Sequence, residues 1–321
     1  MKTINYFGNV QIHRKEGDMP QTVIKHFASL ENALTSLFGS SVKIAKRERI
    51  AGGDINEAYG LSLTDGTKIF MKSNAKKNVS FFTAEAAGLD ALAQTKAIGT
   101  PHILCSGTDE GQGGFSFLLM EFINGKKRID GYWETFAHQL AAMHRASAES
   151  FVPNGKYGFE SDNYIGARKQ INTAAGSWID FFRDCRLEPQ FKAAGNYFAA
   201  EDRKKIVWLL DHLEDFLTEP EQPSLLHGDL WSGNVIMGND GKAWLIDPAV
   251  YVGHAEADIA MTELFGGFPR DFYSAYGAEG LLQEGYRDRR DLYNLYQLLN
   301  HLNMFGMSYL ASVRRIVEKY V

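Results

Sequence analysis

The chain is predicted to be an α+β protein with two lobes, a sheet-rich lobe followed by a mostly helical one. Up to residue 124, short apolar runs alternate with turn residues, which is typical of strands and hairpins. Beyond residue 124, apolar side chains recur every three to four residues, which is typical of amphipathic helices. The length of 321 residues allows one large domain or two lobes. We therefore expect a flexible extension over residues 1–20, a first lobe over 21–124 and a second over 125–321.

The first lobe is expected to hold a five-stranded antiparallel sheet with helices. Gly39 ends the first helix, Asp65-Gly66 forms a hairpin turn, and a glycine-rich turn at 111–114 separates the last two strands. The predicted helices cover residues 22–38 and the segment from Phe81 to Leu92, and the predicted strands cover residues 42–45, 58–63, 68–72, 103–105 and 115–120.

The second lobe is expected to be mostly helical, with one hairpin. Its apolar and aromatic stripes are interpreted as core packing. Residues 235–237 and 243–246 are short apolar runs, and the turn Gly238–Lys242 between them predicts a β-hairpin. The predicted helices cover residues 132–146, 178–187, 202–217, 255–264 and 286–305.

Composition narrows the classes of partner and compartment. An apolar fraction of 45% and a charged fraction of 23% are ordinary for a globular protein. The net charge of −5 argues against nucleic acid or an anionic membrane as the main partner. Two cysteines suit a reducing compartment, and no apolar run approaches the ~20 residues of a membrane span. With no secretory apolar region at the N-terminus, a cytoplasmic location is expected.

One segment carries the chemistry. Asp229 is followed five residues later by Asn234, and Asp247 comes thirteen residues after that. Protein kinases and small-molecule kinases use this spacing for phosphoryl transfer. In that chemistry Asp229 accepts the proton of the acceptor hydroxyl, and Asn234 and Asp247 hold the magnesium ions that bridge the ATP phosphates.

The predicted hairpin supports this interpretation, because it would carry Asn234 at its start and Asp247 at its end. Both oxygen ligands would then face one cleft, as hard cations such as Mg²⁺ require. The alternative is an ordinary surface turn with incidental acids.

The nucleotide half of the site is expected in the first lobe. Gly52-Gly53 would let the backbone close over phosphates, although a plain hairpin turn has the same composition. Lys72 would reach the α- and β-phosphates and pair with Glu85 on the following helix, the alternative being a solvated ion pair. Lys76 and Lys77 are rivals for the lysine role. The backbone of Met120-Glu121-Phe122, at the lobe junction, would hydrogen-bond the adenine.

Over about residues 22–320 the chain resembles the fructosamine kinase (ketosamine kinase) family, relatives of the aminoglycoside and choline kinases with a protein-kinase-like fold. The Leu-Trp-Ser-Gly between Asp229 and Asn234 separates it from aminoglycoside kinases. The segments that carry the resemblance are 52–56, 162–166, 181–190, 227–234, 247–251, 262–268, 291–296 and 300–303.

The resemblance implies ATP- and magnesium-dependent phosphorylation of a sugar hydroxyl on glycated amines. The phosphorylated adduct then falls apart and frees the amine, so the partner would be a small-molecule or protein-bound glycated amine. Trp231 would stack on the sugar, unless it is a core tryptophan, and Glu263 and His301 would line the acceptor pocket, unless His301 is a core histidine. His227 and Asp258 are interpreted as residues that position the catalytic loop. Several family members have a cysteine at the position of Asp54, so a redox-linked dimer is not expected here.

Two other functions stay open. The acceptor could instead be an aminoglycoside, choline or another alcohol, or the chain could be a catalytically silent pseudokinase that binds nucleotide. The presence of Lys72, Asp229, Asn234 and Asp247 argues against the pseudokinase. The sequence leaves open the sugar, the amine, the use of protein-bound adducts and the oligomeric state.

Overall fold

The computed structural model describes residues 3–5, 11–13, 24–51, 55–111, 113–152 and 155–321. The chain divides into two compact units, Met1–Asp90 with Pro101–Ile123 and Ala91–Thr100 with Asn124–Val321. The division after Ile123 falls beside the predicted junction. Leu92 and Ile98 are buried in the hydrophobic core of the second unit, which explains why Ala91–Thr100 belongs with it. None of the helices in the described ranges combines the length and the apolar character that crossing a bilayer takes.

The first unit is built on a six-stranded sheet. Its elements are β1 (Thr3–Asn5), β2 (Gln11–His13), β3 (His26–Phe27), α1 (Leu30–Phe38), β4 (Ile44–Ile50), β5 (Glu57–Leu63), β6 (Lys68–Ala75), α2 (Val79–Gln94, which begins in this unit), β7 (Ile103–Asp109) and β8 (Phe115–Glu121). The strand order is β3-β7-β8-β6-β5-β4, and every neighbouring pair is antiparallel except β3 with β7. Strands β1 and β2 form a separate antiparallel pair.

The two faces of this sheet are covered by different helices. Side chains of successive strand residues point to opposite faces. Accordingly, Phe117 and Leu119 of β8 belong to the cluster that includes Leu34 of α1, whereas Leu118 and Met120 pack with Phe82 of α2. The alternation places β8 at the centre of the unit, buried on both sides.

The prediction of five antiparallel strands and a helix from residue 22 is corrected in two places. The sixth strand is β3, which is only two residues long and pairs in parallel with β7. Helix α1 begins at Leu30, because the Ser29 side chain accepts a hydrogen bond from the Asn32 backbone N–H at 3.1 Å and caps it there. Residues 21–23 lie outside the described ranges, as do the turn residues Gly52, Gly53 and Asp54.

The second unit is mostly helical, as predicted. Its elements are α3 (Tyr132–Arg145), β9 (Asn163–Ile165), β10 (Arg168–Gln170), α4 (Trp178–Phe181), α5 (Glu188–Ala193), α6 (Ala200–Asp211), β11 (Ser224–Leu226), β12 (Val235–Met237), β13 (Ala243–Leu245), β14 (Tyr251–Gly253), α7 (Ala255–Leu264), α8 (Arg270–Ala278), α9 (Tyr286–Phe305) and α10 (Leu310–Tyr320). The predicted bounds of α7 and α9 are those of the structure.

Three predicted helices have different bounds, and three helices were not predicted. Residues 178–187 contain α4 followed by a π-helical stretch, Phe182–Leu187, rather than one regular helix. The predicted helix at 132–146 ends one residue earlier, and the one at 202–217 ends at Asp211 and continues as a 3₁₀ turn, Leu213–Asp215. Helices α5, α8 and α10 were missed.

Candidate active site

A glycine and a short pair of strands shape the segment that contains Asp229. Strand β11 pairs antiparallel with β14, and the Ala249 backbone N–H donates to the His227 carbonyl at 2.9 Å. Between β11 and Asp229, Gly228 has a φ of +81°. A Cβ at this position would lie 2.0 Å from the Ala249 carbonyl oxygen. Only glycine fits this close backbone approach.

The buried carboxylate of Asp258, on α7, holds this segment by its backbone. It accepts hydrogen bonds from the N–H groups of His227, at 2.7 Å, and Gly228, at 2.9 Å. Gln297 on α9 donates from Nε2 to the Gly228 carbonyl at 3.0 Å. The predicted bracing role of Asp258 is thus confirmed. Gln297 was not predicted, because nothing local in the sequence links it to a glycine 69 residues away.

His227 orients the loop rather than carrying charge. Its Nε2 donates to the Ile246 carbonyl at 2.9 Å, and its Nδ1 lies 3.3 Å from the Asp229 backbone N–H, which donates to it. Burial lowers the pKa of His227, so the neutral ring is favoured, and this form has one donor and one acceptor nitrogen. The ring therefore joins the Asp229 segment to the residue that precedes Asp247.

Asp229 has an altered acidity. Burial raises the pKa of its carboxyl group to about 7, a hydrogen bond from Asn234 opposes that rise, and the negative charges of Asp247 and Asp258 add to it. The side chain keeps partial solvent exposure. A carboxylate whose proton affinity lies near neutral pH is suited to accept a proton from a hydroxyl group.

Asn234 is fixed by its side-chain nitrogen. Nδ2 donates to the Asp229 carbonyl at 2.8 Å and to the Asp229 carboxylate at 3.1 Å. The Ile246 backbone N–H donates to the Asn234 carbonyl at 3.1 Å, and β12 and β13 pair from Val235 opposite Leu245. The predicted hairpin is confirmed, and it brings Asn234 beside the end of β13, where Asp247 follows.

Asp247 has an unusual backbone. Its φ of +55° is left-handed, and Lys96 is the other non-glycine residue with a positive φ in the described ranges. Such a conformation costs of the order of 1–3 kcal/mol and is common at functional sites. The local sequence gives no sign of it.

Asn234 and Asp247 fit a magnesium site by their chemistry. Both described side-chain hydrogen bonds of Asn234 use its nitrogen, so the amide oxygen is the atom left to act as a ligand. Asp247 adds carboxylate oxygens, and amide and carboxylate oxygens are the ligands that hard divalent cations prefer. The described ranges contain no cluster of three or more His, Cys, Asp or Glu side chains suited to a metal, so the proposed site would rely on Asn234 and Asp247 together with the phosphates.

The predicted lysine–glutamate pair is present in the first unit. Lys72 Nζ, on β6, lies 2.6 Å from Glu85 Oε1, on α2, and the two side chains are only 9% and 11% exposed. The pair is therefore not the solvated surface pair considered as its alternative. Lys76 instead pairs with Glu110 in an exposed position.

The end of β8 holds the predicted adenine segment. The Glu121 backbone N–H donates to the His102 carbonyl at 2.8 Å, and Met120 is buried. The ring of Phe122 lies against Gly60, where a Cβ would be 3.1 Å from Cε2 of the ring. These contacts hold the end of β8 against neighbouring residues of the same unit. Gly52 and Gly53, the predicted phosphate-binding turn, lie outside the described residues.

The three candidate acceptor residues have different surroundings. Trp231 is 38% exposed, so it is not a core tryptophan, and its ring covers Gly233, where a Cβ would meet it at 2.4 Å. Glu263 accepts from the Tyr286 hydroxyl at 2.7 Å and from Arg290 at 2.8 Å. His301 donates from Nδ1 to the Gln297 carbonyl at 2.9 Å, and burial lowers its pKa. No contact within the described ranges joins Trp231 to Glu263 or His301.

The first unit holds a buried lysine–glutamate pair on a sheet, and the helical second unit carries Asp229, Asn234 and Asp247. These features define an ATP-dependent kinase with a protein-kinase-like fold. The chain belongs to the fructosamine kinase family, whose model matches residues 26–321.

Individual relatives agree. A Synechocystis protein described as a probable ketoamine kinase is 35% identical over 94% of this chain and 99% of its own length. The chloroplastic protein-ribulosamine 3-kinase of Arabidopsis thaliana is 38% identical over 88% of this chain and 85% of its own length. The structure of a candidate fructosamine-3-kinase from Haemophilus somnus superposes with a TM-score of 0.78 at 31% identity, covering 91% of this chain and 97% of that one. The predicted family, fold class and enzyme class are therefore confirmed.

Proposed function

We propose that the protein uses ATP and Mg²⁺ to phosphorylate a sugar hydroxyl of ketosamines, the fructosamine or ribulosamine adducts of amines. The observation that carries this proposal is membership of the fructosamine kinase family over residues 26–321, which include the whole Asp229 segment. Relatives at 35% and 38% identity are named as kinases of ketoamines and of protein ribulosamines. Phosphorylation would labilise the adduct and release the free amine, so the outcome would be deglycation.

Asp229 is the proposed base. Its pKa of about 7 lets it be ionised near neutral pH and still take up a proton. The hydrogen bonds from Asn234 to its carbonyl and carboxylate hold it in place. The acceptor hydroxyl would lose its proton to this carboxylate as its oxygen attacks the terminal phosphorus of ATP. ADP is then the leaving group.

Asn234 and Asp247 are the proposed magnesium ligands, and bound Mg²⁺ supplies charge neutralisation for the phosphates. Lys72, held by Glu85, would anchor the phosphates with a positive charge. The pairing with Glu85 would hold the Lys72 ammonium group in position for the phosphates of ATP. Gly52 and Gly53 would contribute backbone N–H groups, and the backbone of Met120–Phe122 would bind adenine.

For the acceptor, Trp231 is the proposed sugar-stacking residue. It follows Asp229 by two positions, and its partly exposed ring offers an apolar face of the kind that packs on the C–H groups of a sugar. His301 and Glu263 are proposed to line the same pocket. The arrangement would favour a hydroxyl-rich acceptor such as a sugar.

The first test is an acceptor panel. The purified protein is incubated with Mg-ATP and fructosyl-lysine, ribulosyl-lysine, an aminoglycoside or choline, and ADP release is followed. We expect turnover with the ketosamines alone. Turnover with only the aminoglycoside or choline would replace the proposed acceptor class, and ATP binding without turnover of any acceptor would favour the pseudokinase.

The second test addresses Asp229 itself. Asp229→Asn should keep ATP binding and lose turnover by about 10³-fold or more, because both proton transfer and positioning are removed. The matched control is Asp211→Asn, which changes the same charge at an exposed position on α6. If Asp229→Asn keeps near-normal kcat while the control does too, Asp229 is not the base.

A further inference from the structure

A groove with a volume of about 640 Å³ is formed by α7, α9 and α10 in the second unit. We call it the α9–α10 groove, and its lining includes Phe265, Arg290, Asp291, Asn294, Tyr309, Arg315 and Lys319. Its volume lies in the usual range of ligand sites. Neither the proposed phosphoryl transfer nor the predicted acceptor residues account for its charged end.

The charged end of the groove has an excess of positive charge. Lys319 pairs with Asp291 at 2.7 Å, and Arg290 pairs with Asp291 at 3.2 Å and with Glu263 at 2.8 Å. Arg315 is exposed, and no hydrogen bond or ion pair joins it to another residue in the described ranges. Two carboxylates therefore face three cations, and Arg315 is the cation that remains for an outside anion.

A buried amide on the groove wall also lacks a partner. Asn294 is 5% exposed, and its Oδ1 is buried without a hydrogen bond to any described residue. An unpaired buried oxygen is costly, and a hydrogen-bond donor would relieve that cost. A simple anion brings no donor, whereas a polypeptide brings backbone N–H groups together with any acidic side chain.

The other end of the groove is aromatic and adjoins a candidate acceptor residue. The rings of Phe265 and Tyr309 lie 4.8 and 5.1 Å from the His301 ring, centroid to centroid. Beside them, Phe305 is 53% exposed and Met307 is 70% exposed. Aromatic residues, methionine and arginine are enriched where proteins bind other polypeptides.

We propose that the α9–α10 groove binds the acidic polypeptide segment that flanks the ketosamine in a protein-bound acceptor. This rests on the proposed function, because it places the sugar near His301. A flanking Asp or Glu pairs with Arg315, a backbone N–H donates to Asn294 Oδ1 once the buried amide turns toward the groove, and apolar side chains pack on Phe305 and Met307. The enzyme then prefers glycated lysines that have acidic neighbours.

The test compares three acceptors that carry the same ketosamine. They are the free ketosamine of lysine, a short peptide with the glycated lysine between glutamates, and the same peptide with glutamines in their place. The variants are Arg315→Glu and the milder Arg315→Gln. The control is Arg287→Glu, the same charge reversal at an exposed position on α9 that does not line the groove.

We expect the wild type to show a higher kcat/KM for the glutamate peptide than for the glutamine peptide. Arg315→Glu should lower kcat/KM for the glutamate peptide about fivefold, through KM, as expected for losing and reversing one exposed ion pair. Arg315→Gln should give a smaller loss of the same kind. The free ketosamine and the glutamine peptide should be unaffected, and the wild-type preference should weaken at high salt.

The groove proposal would be overturned by an equal kcat/KM for the two peptides in the wild type. It would also be overturned if Arg287→Glu lowered kcat/KM for the glutamate peptide as much as Arg315→Glu does. In either case, turnover of the free ketosamine would leave the proposed function intact. Failure to turn over any of the three acceptors would instead overturn the proposed function. In that case, the affinities of wild type and Arg315→Glu for the same two peptides, measured by fluorescence anisotropy, still decide whether Arg315 selects the acidic chain.

Discussion

Replacing Asp258 with asparagine should damage both stability and turnover. The carboxylate accepts from the N–H groups of His227 and Gly228 and lies 3.2 Å from His144 Nε2, all in buried surroundings. An asparagine amide offers one oxygen, so in either orientation its NH₂ group faces one of the two backbone N–H groups. The variant therefore loses a charge-assisted hydrogen bond and strands a buried donor.

The magnitude follows from these two losses. A hydrogen bond to a charged group contributes about 1.5–3 kcal/mol, and a stranded buried donor costs about 1–3 kcal/mol. Together they reach roughly 2.5–6 kcal/mol, a large part of the ~5–15 kcal/mol that stabilises a typical protein. Displacement of the Gly228 backbone would also move Asp229, and a shift of about 1 Å can cost about 10²-fold in rate.

The assay is urea unfolding, followed by circular dichroism and tryptophan fluorescence, together with kcat at saturating Mg-ATP. The midpoint should fall by about 1 M or more, since the slope for a protein of this size is about 3 kcal/mol per molar urea. Glu201→Gln is the matched control, because Glu201 is exposed and pairs with Lys204 on the surface. A wild-type midpoint and a wild-type kcat in Asp258→Asn would refute the bracing role.

Three further predictions concern other parts of the second unit and the two thiols. Gly228→Ala should abolish turnover and lower the yield of folded protein, because its Cβ would lie 2.0 Å from a carbonyl oxygen at a φ of +81°. Burial lowers the pKa of His254, so the unfolded chain takes up a proton first as pH falls below about 6.5, and stability is lost on acidification. His254→Asn keeps an N-cap acceptor for α7 and should show a smaller fall in urea midpoint between pH 7 and pH 5. Burial raises the pKa of Cys105 to about 12 and also raises that of Cys185, so neither thiol should react with Ellman's reagent in the native protein.

Each of these predictions has a control or a contradicting result. Gly277 lies in α8 with open space around it, so Gly277→Ala should leave stability unchanged or raise it. An equal loss of folded protein in Gly277→Ala would show that the close backbone approach at Gly228 is not the cause of the Gly228→Ala defect. Parallel pH profiles for wild type and His254→Asn would show that another group causes acid unfolding. Rapid labelling of either cysteine before unfolding would contradict their burial.

Local signals in the sequence were enough for several elements. Helix α9 carries a long apolar period and α7 begins at a capping histidine, and both have the predicted bounds. The β12–β13 hairpin followed from turn chemistry, and it placed Asn234 and Asp247 correctly along the chain. Helix α10 was missed although its buried residues, Leu310, Val313, Ile316, Val317 and Tyr320, recur with a helical period. That signal was present in the sequence.

Other features depend on contacts between distant residues. Strand β3 has only two residues, and it exists because β7, about eighty residues later, pairs with it. The π-helical stretch Phe182–Leu187 contains the buried Arg186, whose guanidinium donates to the Ile171 carbonyl at 2.5 Å and lies 3.9 Å from the Tyr251 ring centroid. The left-handed backbone of Asp247 is another feature that no local sequence pattern indicates. No local pattern specifies such partners.

The position of Asp229 therefore depends on two buried helices more than on its own short segment. Helix α7 supplies Asp258 to the backbone before Asp229, and α9 supplies Gln297 to the Gly228 carbonyl. The two helices are joined by a buried ion pair, in which Glu256 accepts from Arg289 at 2.8 and 3.0 Å. Because removing one member of such a pair strands a buried charge, α7 and α9 resist independent movement. A loop held from both helices keeps the Asp229 carboxylate fixed, so substitutions at this helix interface should act on kcat even where they touch neither ATP nor acceptor.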